Sequence, residues 1–241
     1  MCGRFALTSE LKEAAALFEV HTDEVAPPRY NIAPTQPISV IYQEFNNRHM
    51  NLMRWGFVPS WVKDPADFSL LINARSETVT TKPSFKSAIR HRRCIIPATG
   101  FYEWKREGKQ KTAYFIKQRE GEVIGYAGVY ETYTSDNGSE IDTVCFLTTE
   151  ASSDIAEIHH RMPVAISPAQ ADIWLDCVNN SPADVTFFYD NSKSDFYTIV
   201  PVSDRVNSAR FDDADLQVEV QPDEKFREEE EQPASAQLQL F

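Results

Sequence analysis

Cys94-Ile95-Ile96-Pro97-Ala98-Thr99-Gly100-Phe101-Tyr102-Glu103-Trp104 carries two different strand signals back to back. The opening Cys94-Ile95-Ile96-Pro97 is an unbroken apolar run, as expected of a strand buried on both faces. The second half alternates, with Phe101 and Glu103 on one face and Tyr102 and Trp104 on the other. Glu103 is out of place there, because carboxylates are depleted in aromatic strands. Desolvated by Phe101 and Tyr102, it is suited to serve as a general acid; the plainer alternative is that it pairs with a nearby arginine.

Strand signals continue on both sides. Residues 38–42 and 51–57 form a pair joined by a turn at Asn46-Asn47. Residues 70–72, 113–117, 123–130, 142–148, 164–166 and 197–200 read as further strands, with a hairpin turn at Asp136-Asn137-Gly138. Helical spacing is confined to short stretches. Thr8 or Ser9 caps a helix over 10–18, residues 84–90 form another, Ser153 or Asp154 opens a third through Ile158, and Ser167-Pro168 opens a fourth ending near Trp174-Leu175. Pro27-Pro28 leads into residues 29–35, too polar and proline-bound for a regular element. Many short strands, few short helices and no βαβ alternation give the class α+β, with an antiparallel or mixed sheet core.

One domain is expected over residues 1–210, followed by an acidic tail over 211–241. The chain of 241 residues has a formal net charge of −12. Much of that excess lies after Phe211, where residues 212–233 are expected to be disordered. Upstream, Arg90, Arg92 and Arg93 are dense, and Arg54, Arg75 and Arg161 lie within motifs, so a local basic groove is compatible with an acidic whole. No stretch is long and apolar enough to span a membrane, and the start lacks a signal-peptide pattern. Cys2, Cys94, Cys145 and Cys177 are scattered without a CxxC pair, which signals neither a zinc site nor a redox pair and points to a reducing cytoplasm. No cofactor or metal is implied.

The most reactive position is Met1-Cys2-Gly3-Arg4. Removal of Met1 would leave Cys2 with a thiol and a free α-amine on one carbon framework. An aldehyde meeting both forms an imine at the amine, which the thiol closes into a thiazolidine ring. Gly3 permits close approach, and Arg4 places a fixed charge suited to phosphate two residues away. The alternative is a small apolar residue near a frayed end. Three further polar groups stand out: Asn73, which is either a turn former or an orienting amide; Glu103; and one of His159 and His160, a proton shuttle or a helix cap.

The motifs MCGRF, RYNIAPTQ, RWGFVPSW, INARSET, RRCIIPATGFYEW and HHRMP, in that order from Met1 to about Arg210, resemble the SRAP family, the SOS response-associated peptidases also described as abasic-site-processing proteins. The resemblance implies a barrel-like core and a positively charged cleft for DNA. It implies that Cys2 captures the aldehyde of an abasic site as a stable thiazolidine crosslink, shielding the lesion, with weak lyase activity and autocatalytic removal of Met1 as associated reactions. Asn73 would position the sugar and Glu103 and His159 would move protons; the register of HxRMP selects His159, and His160 fills the variable position. Arg4, Arg75 and Arg161 would contact phosphates, and Pro34, Trp55 and Trp61 would stack on or wedge against bases of single-stranded or junction DNA, the alternative for the two tryptophans being that they are core anchors. Phe57 and Thr99 depart mildly from the family pattern.

Beyond the resemblance, Gln237-Leu238-Gln239-Leu240-Phe241 looks like the short peptide with which bacterial replication and repair proteins bind the sliding clamp. Gln237, Leu238, Leu240 and Phe241 would meet an apolar pocket at the end of an acidic leash, at the nucleoid or replication fork. Two other readings remain: an N-terminal-nucleophile hydrolase acting on an amide, and a non-catalytic DNA adaptor.

Overall fold

The computed structural model describes residues 2–190 and 196–221. The strands are β1 (Phe5–Leu7), β2 (Arg29–Ile32), β3 (Pro37–Glu44), β4 (Asn47–Trp55), β5 (Asn73–Arg75), β6 (Arg93–Ala98), β7 (Gly100–Glu107), β8 (Gln110–Gln118), β9 (Ile124–Thr134), β10 (Glu140–Glu150), β11 (Arg161–Pro163), β12 (Ala165–Ile166) and β13 (Tyr197–Val202). The α-helices are short: α1 (Leu11–Leu17), α2 (Ala88–His91), α3 (Ser153–Ala156) and α4 (Ala171–Leu175). The fold is α+β, as the sequence pattern indicates, with the barrel-like core that the resemblance implies.

Five strands close on themselves in the order β10-β4-β3-β6-β9, with β9 returning to pair with β10. The β4–β10 contact is parallel and the other ladders are antiparallel, so this is a mixed barrel. β5 runs parallel beside β10 at Phe146↔Asn73, and β11 pairs antiparallel with the end of β10. A second, antiparallel sheet has the order β13-β8-β7-β1-β2. Cys94–Trp104 therefore bridges the two: β6 is a barrel strand and β7 a central strand of the second sheet.

Local chemistry explains the hairpins. β3 and β4 pair up to Glu44↔Asn47, leaving Phe45 and Asn46 as a two-residue turn with φ 48° and 63°. Positive φ at both central positions matches the strand twist and suits Asn46. The turn falls one residue earlier than Asn46-Asn47. The Asp136-Asn137-Gly138 turn forms where expected, with Gly138 at φ 81° and the Ser135 N–H donating to the Ser139 carbonyl at 2.9 Å.

Alternating residues of the barrel strands serve two cores. Ile41, Ile95, Val129, Cys145 and Leu147 pack with α1, α2 and α4. Their neighbours Val40, Cys94, Ile96, Tyr126, Val144 and Phe146 pack with Cys2, Phe5, Phe101 and Ile116 of the arm and second sheet. The alternation in β7 holds as well: Phe101 joins this second core, while Tyr102 packs with Phe115, Val202, Val206 and Leu216 on the other face.

Several expectations are corrected. Residues 29–32, expected as loop, form β2, because the polar groups of Arg29 and Asn31 find partners downstream. Residues 70–72 make only the bridge Leu71↔Phe57, and regular pairing begins at Asn73. The helix expected over 84–90 is reduced to the four residues of α2. The tail boundary at 211 is also too early. The Asp212 carboxylate accepts from the Tyr30 N–H, the Asn31 N–H at 2.9 Å and Arg29 Nε at 2.8 Å. Leu216 is buried, and the Val220 N–H donates to the Pro201 carbonyl at 3.0 Å. The folded unit thus extends through residue 221. Gln237, Leu238, Leu240 and Phe241 lie outside the described residues. Among the described residues no helix is long and apolar enough to cross a membrane.

Candidate functional site

The site lies where the N-terminal arm enters the second sheet beside the barrel. β1 pairs with β7 at Phe5↔Phe101, and the Tyr102 N–H donates to the Arg4 carbonyl at 2.9 Å. That register sets Cys2 just beyond the ladder, next to Glu103. The Cys2 side chain is fully buried, and its thiol points at the Arg4 carbonyl with Sγ···O 3.7 Å. Burial, reinforced by the negative charge of Glu103, pushes the thiol far above the ordinary thiol range.

Asn73 opens β5 and is held against β10. Its Nδ2 donates to the Cys2 carbonyl at 2.8 Å, while its Oδ1 is buried without a hydrogen-bond partner among the described residues. A buried carbonyl oxygen left without a donor is suited to receive one from a bound molecule.

Glu103 is 3 % exposed, and its Oε1 lies 4.0 Å from His159 Nδ1. His159 Nδ1 lies 3.0 Å from the Arg161 N and 3.2 Å from the Arg161 carbonyl oxygen, so the Arg161 main chain orients the ring. The ring stacks on the exposed His160 at 4.4 Å. Burial lowers the His159 pKa and outweighs the upward pull of Glu103, so the ring is neutral near neutrality. The four residues singled out for chemistry therefore converge: a buried thiol, an amide gripping its carbonyl, a buried carboxylate and a neutral imidazole. Such a set can deliver and accept protons around a carbonyl carbon. Among the described residues no group of three or more His, Cys, Asp or Glu side chains gathers to hold a metal ion.

The expected DNA contacts divide. Arg75 is exposed at the end of β5, two residues beyond Asn73. Trp61 is 58 % exposed and lies perpendicular to the Phe68 ring. Pro34 is half-buried. Trp55, by contrast, is a core anchor. It is fully buried, sits edge-on to Phe5 and Phe146, and donates from Nε1 to the Ile72 carbonyl at 3.1 Å. As the last residue of β4 it points inward and has no face for a base.

Arg161 is 6 % exposed and forms a forked ion pair with Glu77 at 2.5 and 3.0 Å, with a further bond to the Thr148 carbonyl. Burial acts to raise the Glu77 pKa, but hydrogen bonding and the charge of Arg161 prevail and hold it low. Arg4 is half-buried and engages Asn31 Oδ1 at 2.6 Å, the Val206 carbonyl at 2.7 Å and the Asn207 carbonyl at 3.4 Å. The dense basic run also disperses. Arg93 is buried against the carbonyls of Ile89, Trp174, Asp176 and Asn180, and Arg92 pairs with Glu131 at 2.8 Å. Sequence reasoning missed Asn31, 1 % exposed, whose partners lie far away in the chain.

Residues 1–209 match the family described as SOS response associated peptidase (SRAP). The chain is 36% identical to the abasic site processing protein YoaM of Bacillus subtilis (strain 168), over 90% of this chain and 97% of that protein. It is 33% identical to the abasic site processing protein YedK of Escherichia coli (strain K12), over 73% and 79% of the two chains. A crystal structure of a protein from Bacteroides thetaiotaomicron superposes with a TM-score of 0.80 at 22% identity, covering 91% of this chain and all of that one, and so shares the fold.

Proposed function

The chain belongs to the SOS response associated peptidase (SRAP) family, and from that premise we propose that it captures abasic sites in single-stranded DNA as a covalent adduct on Cys2. The observation that carries this reading is the meeting of Asn73 and Glu103 at Cys2, with His159 4.0 Å from Glu103. The printed names of the relatives, abasic site processing proteins, supply the substrate class.

With Met1 removed, the α-amine of Cys2 adds to the aldehyde carbon of the ring-opened sugar. The carbinolamine loses one water and becomes a protonated imine, the departing hydroxyl being protonated by Glu103 in its acid form, which leaves that group a carboxylate. The sulfur then adds to the imine carbon and the nitrogen recovers its electron pair as an amine. The thiol proton passes to the neutral His159 or to Glu103. One C–N and one C–S bond form, one water leaves, and no oxidant is consumed. The raised thiol pKa makes a nearby base necessary for the closing step. Where closure fails, the imine acidifies the adjacent sugar carbon and β-elimination of the 3′ phosphate follows, a weak lyase reaction. The same acid and base serve hydrolysis of the Met1–Cys2 peptide bond, which consumes one water.

Arg75, Trp61 and Pro34 line the approach for a single strand or junction in this reading. The peptide from Gln237 to Phe241 would tether the protein to a bacterial sliding clamp, with action at the cytoplasmic nucleoid or fork; deleting it should abolish clamp capture and spare crosslinking to a free oligonucleotide.

The test of capture mixes purified protein with a single-stranded oligonucleotide bearing one abasic site and resolves the product on a denaturing gel, with Met1 removal confirmed by intact mass. Wild type should give a heat-stable shifted band that Cys2→Ala lacks. No band from protein with a free Cys2 terminus would reject capture and favour the amide hydrolase or the adaptor.

A further inference from the structure

We infer that Asn31 and Asp212 are positioning residues for the nucleophile: they lock Arg4, whose main-chain carbonyl aims the Cys2 thiol. This inference rests on the reading of Cys2 as the attacking group. It gives the segment downstream of β13 a part in the chemistry.

The chain of contacts is continuous. The Arg4 carbonyl receives both the Tyr102 N–H of β7 and the Cys2 thiol. The Arg4 side chain is half-buried. It turns back onto Asn31 Oδ1 and the carbonyls of Val206 and Asn207. Asn31 is the hub: its Nδ2 donates to the carbonyls of Phe211 at 2.7 Å, Ser208 at 3.0 Å and Val206 at 3.4 Å. Asp212 then clamps the exposed edge of β2 by accepting the N–H groups of Tyr30 and Asn31 and pairing with Arg29. Trp104 and Tyr102 add bonds to Asn207 Oδ1 at 2.9 Å and to the Tyr30 carbonyl at 2.7 Å. The arm, β2 and residues 204–212 are thereby joined through one guanidinium.

The arrangement suits a nucleophile near a chain end. A terminus held by a few ladder bonds frays, whereas thiazolidine closure needs amine and thiol fixed together against one carbon. A planar guanidinium with a fixed fork of donors immobilises such an arm better than a point charge does. Asn31 reads the fork with its oxygen and the downstream carbonyls with its nitrogen, a division only an amide performs. The competing role for Arg4 is a phosphate ligand, which requires charge but not this geometry.

The test is single-turnover crosslinking to an abasic single-stranded oligonucleotide across DNA concentration, with intact mass confirming Met1 removal and thermal melts confirming folding. Arg4→Lys keeps the charge and loses the fork; Asp212→Ala removes the clamp, and Asp212→Asn keeps an acceptor oxygen. Arg4→Lys and Asp212→Ala are expected to lower the maximal rate about tenfold or more while leaving the half-saturating DNA concentration unchanged. Asp212→Asn should recover most of the rate. Should Asp212→Ala fail to fold, Arg4→Lys decides. A wild-type maximal rate in Arg4→Lys with weakened DNA binding would overturn the inference in favour of a phosphate contact, and a wild-type rate in folded Asp212→Ala would overturn it as well. No adduct from the wild type would remove the reading of Cys2 and this inference together; an adduct formed equally fast by every variant would remove the inference alone.

Discussion

The same barrel strands face two cores, and only one of them borders the candidate site. On the helix side, Ile95, Val129, Cys145 and Leu147 meet α1, α2 and α4 in a cluster beside the buried Arg93 guanidinium. On the sheet side, their immediate neighbours Cys94, Tyr126, Val144 and Phe146 meet a cluster that contains the Cys2 thiol and borders Asn73 and Glu103. This second core holds two buried tyrosine hydroxyls, Tyr126 and Tyr197, without hydrogen-bond partners among the described residues. A buried polar group without a partner lowers stability by about 1–3 kcal/mol. The helix side buries polar atoms as well, the Arg93 guanidinium against four carbonyls and the Tyr189 hydroxyl at its margin, so what sets the sheet side apart is that its buried polar groups adjoin Cys2, Asn73 and Glu103. Strand alternation lets one barrel serve both cores, because each residue step changes the core being faced.

The largest effect should come from breaking the apolar support of the sheet side. Trp55→Ala removes the ring between Phe5 and Phe146 and should destabilise by about 3–5 kcal/mol in urea unfolding. Because Phe5 anchors the arm that carries Cys2, crosslinking should fall as well; loss of stability with a wild-type crosslinking rate would separate the core from the site. Leu147→Ala, on the helix side, should cost about 2–5 kcal/mol, yet the protein that remains folded should react at the wild-type rate. Asn73→Ala sharpens the contrast on the sheet side. It should change the unfolding free energy by only about 1 kcal/mol and slow single-turnover crosslinking by roughly ten- to a hundredfold. Trp61→Ala touches neither core. Its stability should stay within about 0.5 kcal/mol of wild type, while single-strand affinity measured by fluorescence anisotropy should weaken by about 1–3 kcal/mol.

The smallest effect is electrostatic. His159 is depressed by burial and pulled up by Glu103, so its ring should titrate below the ordinary imidazole range. In Glu103→Gln the upward pull disappears, and the midpoint followed by NMR of the ring protons should move lower still. A rise would mean that Glu103 acts on His159 other than by its charge. The linkage has a definite sign: a folded-state pKa below the unfolded one means that stability falls as pH drops through the imidazole range.

What the sequence made legible follows from the range of each interaction. The buried run at Cys94 and the alternation from Phe101 to Trp104 are local patterns, and β6 and β7 form where those patterns lie. The two tryptophans show the limit. Trp55 and Trp61 share a motif and a residue type, yet one closes a strand pointing inward and the other sits on the following loop. Arg161 looked like a free cation because Glu77, its partner, is 84 residues away. Likewise, residues 29–35 looked too polar for a strand because Asp212, which meets the N–H of Asn31, lies 181 residues on. Glu103 was conspicuous as a carboxylate in an aromatic strand. Its meeting with Cys2 and His159 came into view through the resemblance, since no local spacing joins positions so far apart.

The most direct test of capture at Cys2 is the mass of the adduct. Wild-type protein would be reacted with an abasic single strand, digested after Arg4 and nuclease-trimmed, and the fragment Cys2-Gly3-Arg4 weighed. The expected result is that fragment carrying the abasic sugar less one water, stable without borohydride and absent from Cys2→Ala. A modified lysine elsewhere, or an adduct seen only after reduction, would contradict thiazolidine formation at Cys2.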